Sequence, residues 1–159
     1  MELRAFTKDD AKMVISWCEN EDIFNKWTAG ILGEYPLTPD RLTFGDDVKP
    51  YIAVDGSDPV GFFILRRPKA TTGILRVGFV INDPQLRGKG YGKQMLQLAT
   101  EEAFRNPDVD QVTLGVFTNN PQAYHCYKAA GFREIEGAKQ VIFNLSGQEW
   151  TVLEMGVER

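Results

Sequence analysis

Hydrophobic and polar positions in the first half of the chain predict mainly strands. Leu3, Ala5 and Phe6 indicate a short first strand, and Thr7 with Asp10 three positions later resembles a capping box for a following helix. Two apolar runs of strand length flank a turn-forming sequence at residues 55–58, which predicts an antiparallel hairpin over 51–54 and 59–67. Another apolar run, over 74–81, predicts a buried strand.

The second half of the chain predicts a strand–helix–strand unit. After residue 91, apolar residues recur at the spacing of a helix with one buried face. They are Met95, Leu96, Ala99 and Ala103. Alternation over 111–118 then predicts a strand that this helix connects to the strand over 74–81, and two strands joined in this way run parallel.

The remaining segments predict one more helix and a final hairpin. Pro121 stands at the first turn of a helix that Gly131 closes, and strands over 140–145 and 149–157 follow. The segment over 20–46 mixes aromatic residues with glycine and proline, and it predicts short helices and loops.

Composition narrows the class of protein. The 159 residues are 43% hydrophobic and 25% charged, with a formal net charge of −4, so we expect a single domain over 1–159 that is not a nucleic-acid-binding protein. Two cysteines and one histidine are too few for a zinc or iron–sulfur site, so no metal is expected. A charged beginning and short apolar runs predict a cytoplasmic protein without a membrane segment.

A glycine-rich loop lies between the strand over 74–81 and the helix after 91. It reads Arg87-Gly88-Lys89-Gly90-Tyr91-Gly92-Lys93. Helix N-termini present unpaired backbone N–H groups, so a loop there can hold a phosphate, and the basic residues suit a pyrophosphate. The order R-x-x-G-x-G differs from the ATP-binding P-loop and from the dinucleotide fingerprint. A tight turn with solvated basic residues would explain the same loop.

The loop resembles the central motif of the GNAT superfamily of N-acetyltransferases, R/Q-x-x-G-x-G/A. The residues that match this motif are Arg87, Gly90 and Gly92. A second signature of that family, N-x-x-A-x-x-x-Y-x-x-x-G-F, follows after the next strand. It matches at Asn120, Ala123, Tyr127, Gly131 and Phe132. The two motifs stand in the family's order, and the pattern of strands and helices covers nearly the whole chain.

The resemblance implies an α/β (α+β) fold with a mixed, mostly antiparallel twisted sheet of six to eight strands, a central parallel pair and helices on both faces. It also implies acetyl-CoA as cosubstrate and direct transfer to an amine in a ternary complex. The cofactor-binding residues would be Phe79, Val80 and Ile81 on the strand, Arg87, Gly88, Lys89, Gly90, Tyr91, Gly92 and Lys93 in the loop, and Asn120.

Tyr127 is the catalytic residue that the resemblance implies. Its hydroxyl would lie near the sulfur as general acid or hydrogen-bond donor to the thiolate, although a tyrosine packing its helix on the sheet explains it too. Asn120 would cap the same helix or bind the pantetheine arm. By analogy, the N–H of Val80 would polarise the thioester carbonyl.

The general base has no clear candidate. Some family members carry a glutamate on the strand before the glycine loop, but no acid occurs over 75–81. Glu34, Asp83 and Glu21 are possible bases, and each is better explained as an exposed acid. His125 is disfavoured, because two residues from Tyr127 correspond to about 200° around a helix.

The irregular segment over 21–44 is the expected acceptor site, since loops on a rigid scaffold carry specificity. Its candidate substrate-binding residues are Phe24, Trp27, Glu34 and Tyr35. The three aromatic residues would equally suit a core beneath a loop.

Three functions stay open. They are acetylation of a small amine such as a polyamine, amino acid or aminoglycoside, acetylation of protein N-termini or lysines, and binding of coenzyme A without catalysis. A closed pocket would favour a small acceptor, and an open groove a protein. A homodimer through the last strands is compatible with their alternating pattern, which core packing explains equally well.

Overall fold

The chain forms eight strands and four α-helices in the computed structural model, which describes residues 1–159. The strands are β1 (Glu2–Ala5), β2 (Val48–Asp55), β3 (Asp58–Arg66), β4 (Ile74–Asn82), β5 (Gln111–Phe117), β6 (Arg133–Glu134), β7 (Val141–Leu145) and β8 (Gln148–Glu158). The helices are α1 (Ala11–Ser16), α2 (Glu21–Thr28), α3 (Tyr91–Phe104) and α4 (Pro121–Ala129). None of these helices is both long and apolar enough to cross a membrane.

All the strands belong to one mixed sheet. Its order is β1-β2-β3-β4-β5-β8-β6, and β7 pairs with β8 beside β6. Every neighbouring pair is antiparallel except β4 and β5, which α3 connects as a crossover helix. The predicted fold class is therefore confirmed, including the single parallel pair.

Local signals in the sequence account for several boundaries. Asp55 pairs with Asp58 around the two-residue turn of the β2–β3 hairpin, as predicted. Before α1, the carboxylate of Asp10 accepts a hydrogen bond from the N–H of Thr7 at 2.8 Å, which confirms the predicted capping box. The sequence did not predict β6, because two residues are too few to show an alternating pattern.

Helices cover both faces of the sheet and create two main cores. The α3–α4 core includes Met95 and Leu96 of α3, Leu114 of β5 and Tyr127 of α4. The α1–α2 core, on the opposite face, is built from α1, α2, β2, β3 and the end of β4. Its large buried residues include Val14, Trp17, Phe24, Trp27, Leu37, Leu42, Ile52, Phe62, Ile64 and Ile81. Covering both faces is what allows a mixed sheet to bury its central strands.

A smaller hairpin cluster joins the ends of β5, β7 and β8. It consists of Phe117, Leu145, Trp150 and Val152, with Ala29 from the end of α2 and Phe143 packed against it. β7 lies at the edge of the sheet, where the side chains of Val141 and Ile142 are exposed. Association of two copies through the last strands stays a prediction.

An ion pair links β4 to β8 across β5. The guanidinium of Arg76 donates to both carboxylate oxygens of Glu154, at 2.6 and 2.8 Å. Gly115 lies between them on β5, and a Cβ there would stand 2.7 Å from Nη2 of Arg76 and 2.8 Å from Cγ1 of Val152. The missing side chain at Gly115 therefore makes room for the ion pair.

We expect Gly115→Ala to destabilise the protein by about 1–3 kcal/mol, because the new methyl group displaces Arg76 and crowds Val152. Urea unfolding of Gly115→Ala, Glu154→Gln and the double variant measures this effect. If loss of the ion pair dominates, the free energies of unfolding lost in the two single variants add up to more than the free energy lost in the double variant. Fully additive costs would show that Gly115 and the ion pair are independent.

Candidate functional site

β4 and β5 separate soon after they begin. Their parallel pairing covers Ile74–Arg76 and residues 111–113, and it stops there. Beyond these residues, the edge of β4 that faces β5 and the edge of β5 that faces β4 have no partner strand. This separation leaves a gap in the middle of the sheet, lined by unpaired strand edges that can accept an extended ligand.

A β-bulge lies in β4 at this gap. Phe62 pairs with Ile81 and Ile64 pairs with Gly78, so Phe79 and Val80 together lie opposite the single residue between them on β3. Phe79 has a left-handed backbone with φ of 47°, which costs a non-glycine residue roughly 1–2 kcal/mol. Val80 packs against the α3–α4 core, whereas Phe79 and Ile81 pack against the α1–α2 core.

The glycine loop follows β4 and leads into α3. Gly88 and Gly90 have φ of 79° and 80°, and Gly90 is the N-cap residue immediately before α3. A Cβ at Gly88 would meet nothing within 4 Å, and at Gly90 only Nε2 of Gln94 at 3.9 Å. The loop backbone is thus open to solvent at a helix N-terminus, as a phosphate-binding loop requires.

The side chains of the loop point in different directions. Arg87 forms an exposed ion pair with Glu19 at 3.1 Å, and Lys89 and Lys93 are exposed. The hydroxyl of Tyr91 donates to the Asp55 carboxylate at 2.6 Å, which raises the tyrosine's pKa. Tyr91 therefore offers a ligand its backbone, while its phenol ties α3 to the β2–β3 turn.

α3, α4 and the end of β4 meet at Gly92. A Cβ at this glycine would lie 3.0 Å from Sγ of Cys126 on α4 and 3.3 Å from Oδ1 of Asn82 on β4. The close approach places the beginning of α3 beside the middle of α4, and Tyr127 is the next residue along α4. The glycine loop and the candidate catalytic tyrosine thus share one end of the sheet.

Tyr127 is buried in the α3–α4 core, and its hydroxyl has no hydrogen-bond partner in the chain. The one fully buried polar side-chain atom without a partner is Nε1 of Trp150, so the Tyr127 oxygen retains contact with solvent. Burial raises the pKa of Tyr127 well above its ordinary value of 10. The phenol therefore stays protonated at neutral pH and is suited to donate a hydrogen bond or a proton.

Asn120 caps α4. Its side-chain oxygen accepts from the N–H of Ala123 at 3.4 Å, a weak contact that leaves the side chain free to exchange partners.

None of the acids considered as general base is drawn into the gap. Asp83 accepts from the N–H of Gln85 at 2.9 Å and so caps the short 3-10 turn after β4. Glu21 is exposed in the first turn of α2, and Glu34 is exposed in the following loop. His125 is exposed and packs edge-on against Tyr124.

The candidate acceptor residues divide into buried and exposed side chains. Phe24 and Trp27 are 2% and 6% exposed and belong to the α1–α2 core. Tyr35 is 39% exposed and packs against Phe24 with ring centroids 5.6 Å apart. The guanidinium of Arg41 donates to the carbonyls of Leu32, Glu34 and Pro36, and this arginine therefore holds the loop in place.

α2 bridges the two sides of the gap. On one side, Nε1 of Trp27 donates to the carbonyl of Phe79 at 2.9 Å. On the other side, the buried amide of Asn25 donates to Oγ of Ser146 in the β7–β8 turn at 3.0 Å. Two of the four non-glycine residues with positive φ form these contacts, Phe79 and Ser146, and a third, Ala29, is the C-cap of α2. Strained backbone concentrates at functional sites.

Sequence reasoning missed the Arg76–Glu154, Asn25–Ser146 and Trp27–Phe79 contacts, and it missed the bridging role of α2. Only the first contact has a signal in the sequence. Arg76 is a charged residue inside an otherwise apolar strand, so it requires a partner of opposite charge. No group of three or more His, Cys, Asp or Glu side chains is arranged to hold a metal ion.

Comparisons with known proteins agree with this geometry. A sequence profile described as the acetyltransferase (GNAT) family matches residues 14–132. An aminoglycoside N(6')-acetyltransferase type 1 of Klebsiella pneumoniae is 24% identical over 148 residues, which cover 82% of this chain and 72% of the relative. The N-acetyltransferase YfmK of Bacillus subtilis (strain 168), described as uncharacterized, is 32% identical over 124 residues, or 77% of this chain and 78% of the relative.

Solved structures share the fold. An aminoglycoside acetyltransferase in complex with coenzyme A and kanamycin superposes with a TM-score of 0.76 at 20% identity, covering 99% of this chain and 94% of the other. A spermidine N-acetyltransferase of Vibrio cholerae, with CoA and spermine, gives a TM-score of 0.79 at 20% identity and the same coverage. The predicted family and enzyme class are thereby confirmed. The chain belongs to the acetyltransferase (GNAT) family, as its two sequence motifs and the separation of β4 from β5 indicate.

Proposed function

We propose that this protein transfers the acetyl group of acetyl-CoA to a primary amine of a small molecule, by direct attack in a ternary complex. The observation that carries the proposal is the gap between β4 and β5, with the glycine loop and Tyr127 at the same end of the sheet. Unpaired strand edges suit the amide-containing pantetheine arm, and the start of α3 suits the pyrophosphate.

The chemistry assigns a task to each group. An ordinary alkyl amine has a pKa near 10.4, so holding it neutral at pH 7 costs about 4.6 kcal/mol. The neutral nitrogen attacks the thioester carbon, and the N–H of Val80 stabilises the developing negative charge on oxygen. The carbon–sulfur bond then breaks and the sulfur takes a proton from Tyr127. The proton lost by the amine passes through solvent and restores the Tyr127 phenol.

Direct transfer is favoured over an acetylated enzyme. Burial raises the pKa of both free thiols, to about 11 for Cys18 and in the same direction for Cys126. Neither cysteine therefore supplies a thiolate at neutral pH, which an acetyl-cysteine intermediate would need.

A small acceptor is favoured by the contact between α2 and the β7–β8 turn. The Asn25–Ser146 hydrogen bond and the packing of Leu145 near Gly30 join the two walls across the gap. An extended peptide entering between these walls would have to separate them. Relatives named for aminoglycoside and spermidine acetylation support the same class of acceptor.

Turnover of acetyl-CoA, followed as free thiol release, tests the proposal across polyamines, aminoglycosides, amino acids, free N-terminal peptides and internal-lysine peptides. We expect turnover with one small-molecule class and little with peptides, because α2 and the β7–β8 turn are joined. Preferred turnover of peptides would replace this function by protein acetylation, and coenzyme A binding without any turnover would replace it by a binding role.

We expect Tyr127→Phe to lower kcat by about 100-fold, because the departing sulfur loses its proton donor. In the wild type, kcat should rise with pH as the amine loses its proton, with no decline up to pH 10, since the pKa of Tyr127 is raised above its ordinary value of 10. Tyr124→Phe on the same helix is the control, since its hydroxyl binds Glu134. Equal rates for the two variants would remove Tyr127 from the mechanism.

We expect Gly90→Ala to raise the Kd for coenzyme A about tenfold, because a Cβ at φ of 80° costs roughly 1–2 kcal/mol and shifts the loop. Isothermal titration calorimetry measures this affinity. Gly137→Ala introduces the same backbone strain, with φ of 72° and open space around the new methyl group, in a different part of the chain. If both variants bind coenzyme A like the wild type, the loop does not hold the cosubstrate.

A further inference from the structure

The hydrogen bond from Trp27 fixes one peptide group of the β4 bulge. Its indole Nε1 donates to the carbonyl oxygen of Phe79 at 2.9 Å, and the indole itself is 6% exposed. The ring also packs edge-on against Phe62, with centroids 6.4 Å apart. A rigid, buried side chain thus holds the carbonyl of a residue whose left-handed backbone is intrinsically unfavourable.

The position of this carbonyl determines the direction of the next N–H. The peptide bond between Phe79 and Val80 is trans, since the chain has a single cis peptide bond, at Tyr35-Pro36. In a planar trans peptide the C=O and N–H vectors are opposed. With the Phe79 carbonyl turned toward α2, the N–H of Val80 points away from α2, toward the face of the sheet that carries Tyr127.

The hydrogen bond also strengthens that N–H as a donor. A carbonyl that accepts a hydrogen bond polarises its whole peptide group, so the N–H at the other end becomes a better donor. The side chain of Phe79 is held independently by Phe44, whose ring lies 5.9 Å away. Loss of the indole N–H would therefore release the carbonyl without releasing the phenyl ring.

We propose that Trp27 is a positioning residue for acetyl transfer, which orients the Val80 N–H toward the thioester carbonyl from the opposite face of the sheet. The proposal rests on the proposed function. It differs from an acceptor-binding role for Trp27, because the indole is buried and its only hydrogen-bond donor is already engaged.

The chain offers a matched control. Trp17 is 5% exposed and belongs to the same α1–α2 core, but its indole N–H makes no hydrogen bond in the chain. Trp27→Phe and Trp17→Phe both shorten a buried aromatic side chain, and only the first removes a hydrogen bond to β4. Comparison of the two variants separates positioning from packing.

The experiment measures kcat, both KM values, the Kd for coenzyme A and the amide resonance of Val80 in 15N-labelled protein. We expect Trp27→Phe to lower kcat about 10- to 100-fold, by analogy with side chains that orient metal ligands, with little change in either KM or in Kd. Only this variant should shift the Val80 amide resonance and speed its hydrogen exchange. Trp17→Phe should keep the wild-type kcat and Val80 resonance.

Three results would overturn the proposal. Equal loss of kcat in both tryptophan variants would reduce Trp27 to packing. A raised KM for the amine with unchanged kcat would make Trp27 an acceptor-binding residue. An unchanged Val80 resonance in Trp27→Phe would show that the indole does not control this peptide group.

Failure of the proposed function is distinguishable from these results. If the wild type acetylates nothing, the proposed function fails. The role of Trp27 in catalysis then fails as well, even if the Val80 resonance responds to Trp27→Phe. If Trp27→Phe does not fold, an isosteric benzothiophene analogue of tryptophan at position 27 keeps the ring shape and removes the N–H. The same measurements then decide the proposal.

Discussion

The separation of β4 from β5 is the constraint on which the rest of this structure depends. Two central strands that part after three residues leave backbone donors and acceptors in the middle of the sheet, where such groups ordinarily have partners. Acetyl-CoA, in the proposed function, supplies those partners. In that proposal the binding site is an interruption of the sheet, and the fold has to hold the interruption open in the absence of the cosubstrate.

Both ends of the gap are held by contacts that cross it. At the closed end, Arg76 reaches over Gly115 to Glu154 and fixes β4 against β8 where the pairing stops. At the open end, α2 bonds to the β4 bulge through Trp27 and to the β7–β8 turn through Asn25. The strained conformations of Phe79 and Ser146 occur at these two contacts, where side-chain hydrogen bonds offset the strain.

The sequence predicted what is local. Residues 87–93 and 120–132 are continuous segments whose glycines, capping asparagine and tyrosine carry their meaning within a few positions, so the loop and α4 were found directly. Contacts between distant segments were not predicted: Trp27 and Phe79 are 52 positions apart, Arg76 and Glu154 78, and Asn25 and Ser146 121. The sequence leaves Trp27 either in the acceptor site or in a core beneath a loop, and it does not show which carbonyl the indole meets.

The distinction between local signals and contacts of distant segments also explains why the cosubstrate is easier to infer than the acceptor. In the proposed function, backbone groups of β4 and the start of α3 bind the cosubstrate, and a backbone site needs only glycines and a strand–helix junction to be recognisable. In the same proposal, the acceptor instead meets the exposed side chains around the end of α2, the loop that Arg41 holds, and the β7–β8 hairpin. Structures at about 20% identity, named for aminoglycoside and for spermidine acetylation, share this fold. In the proposed function, acceptor specificity can therefore change through these side chains while the β4–β5 gap that binds the cosubstrate stays the same.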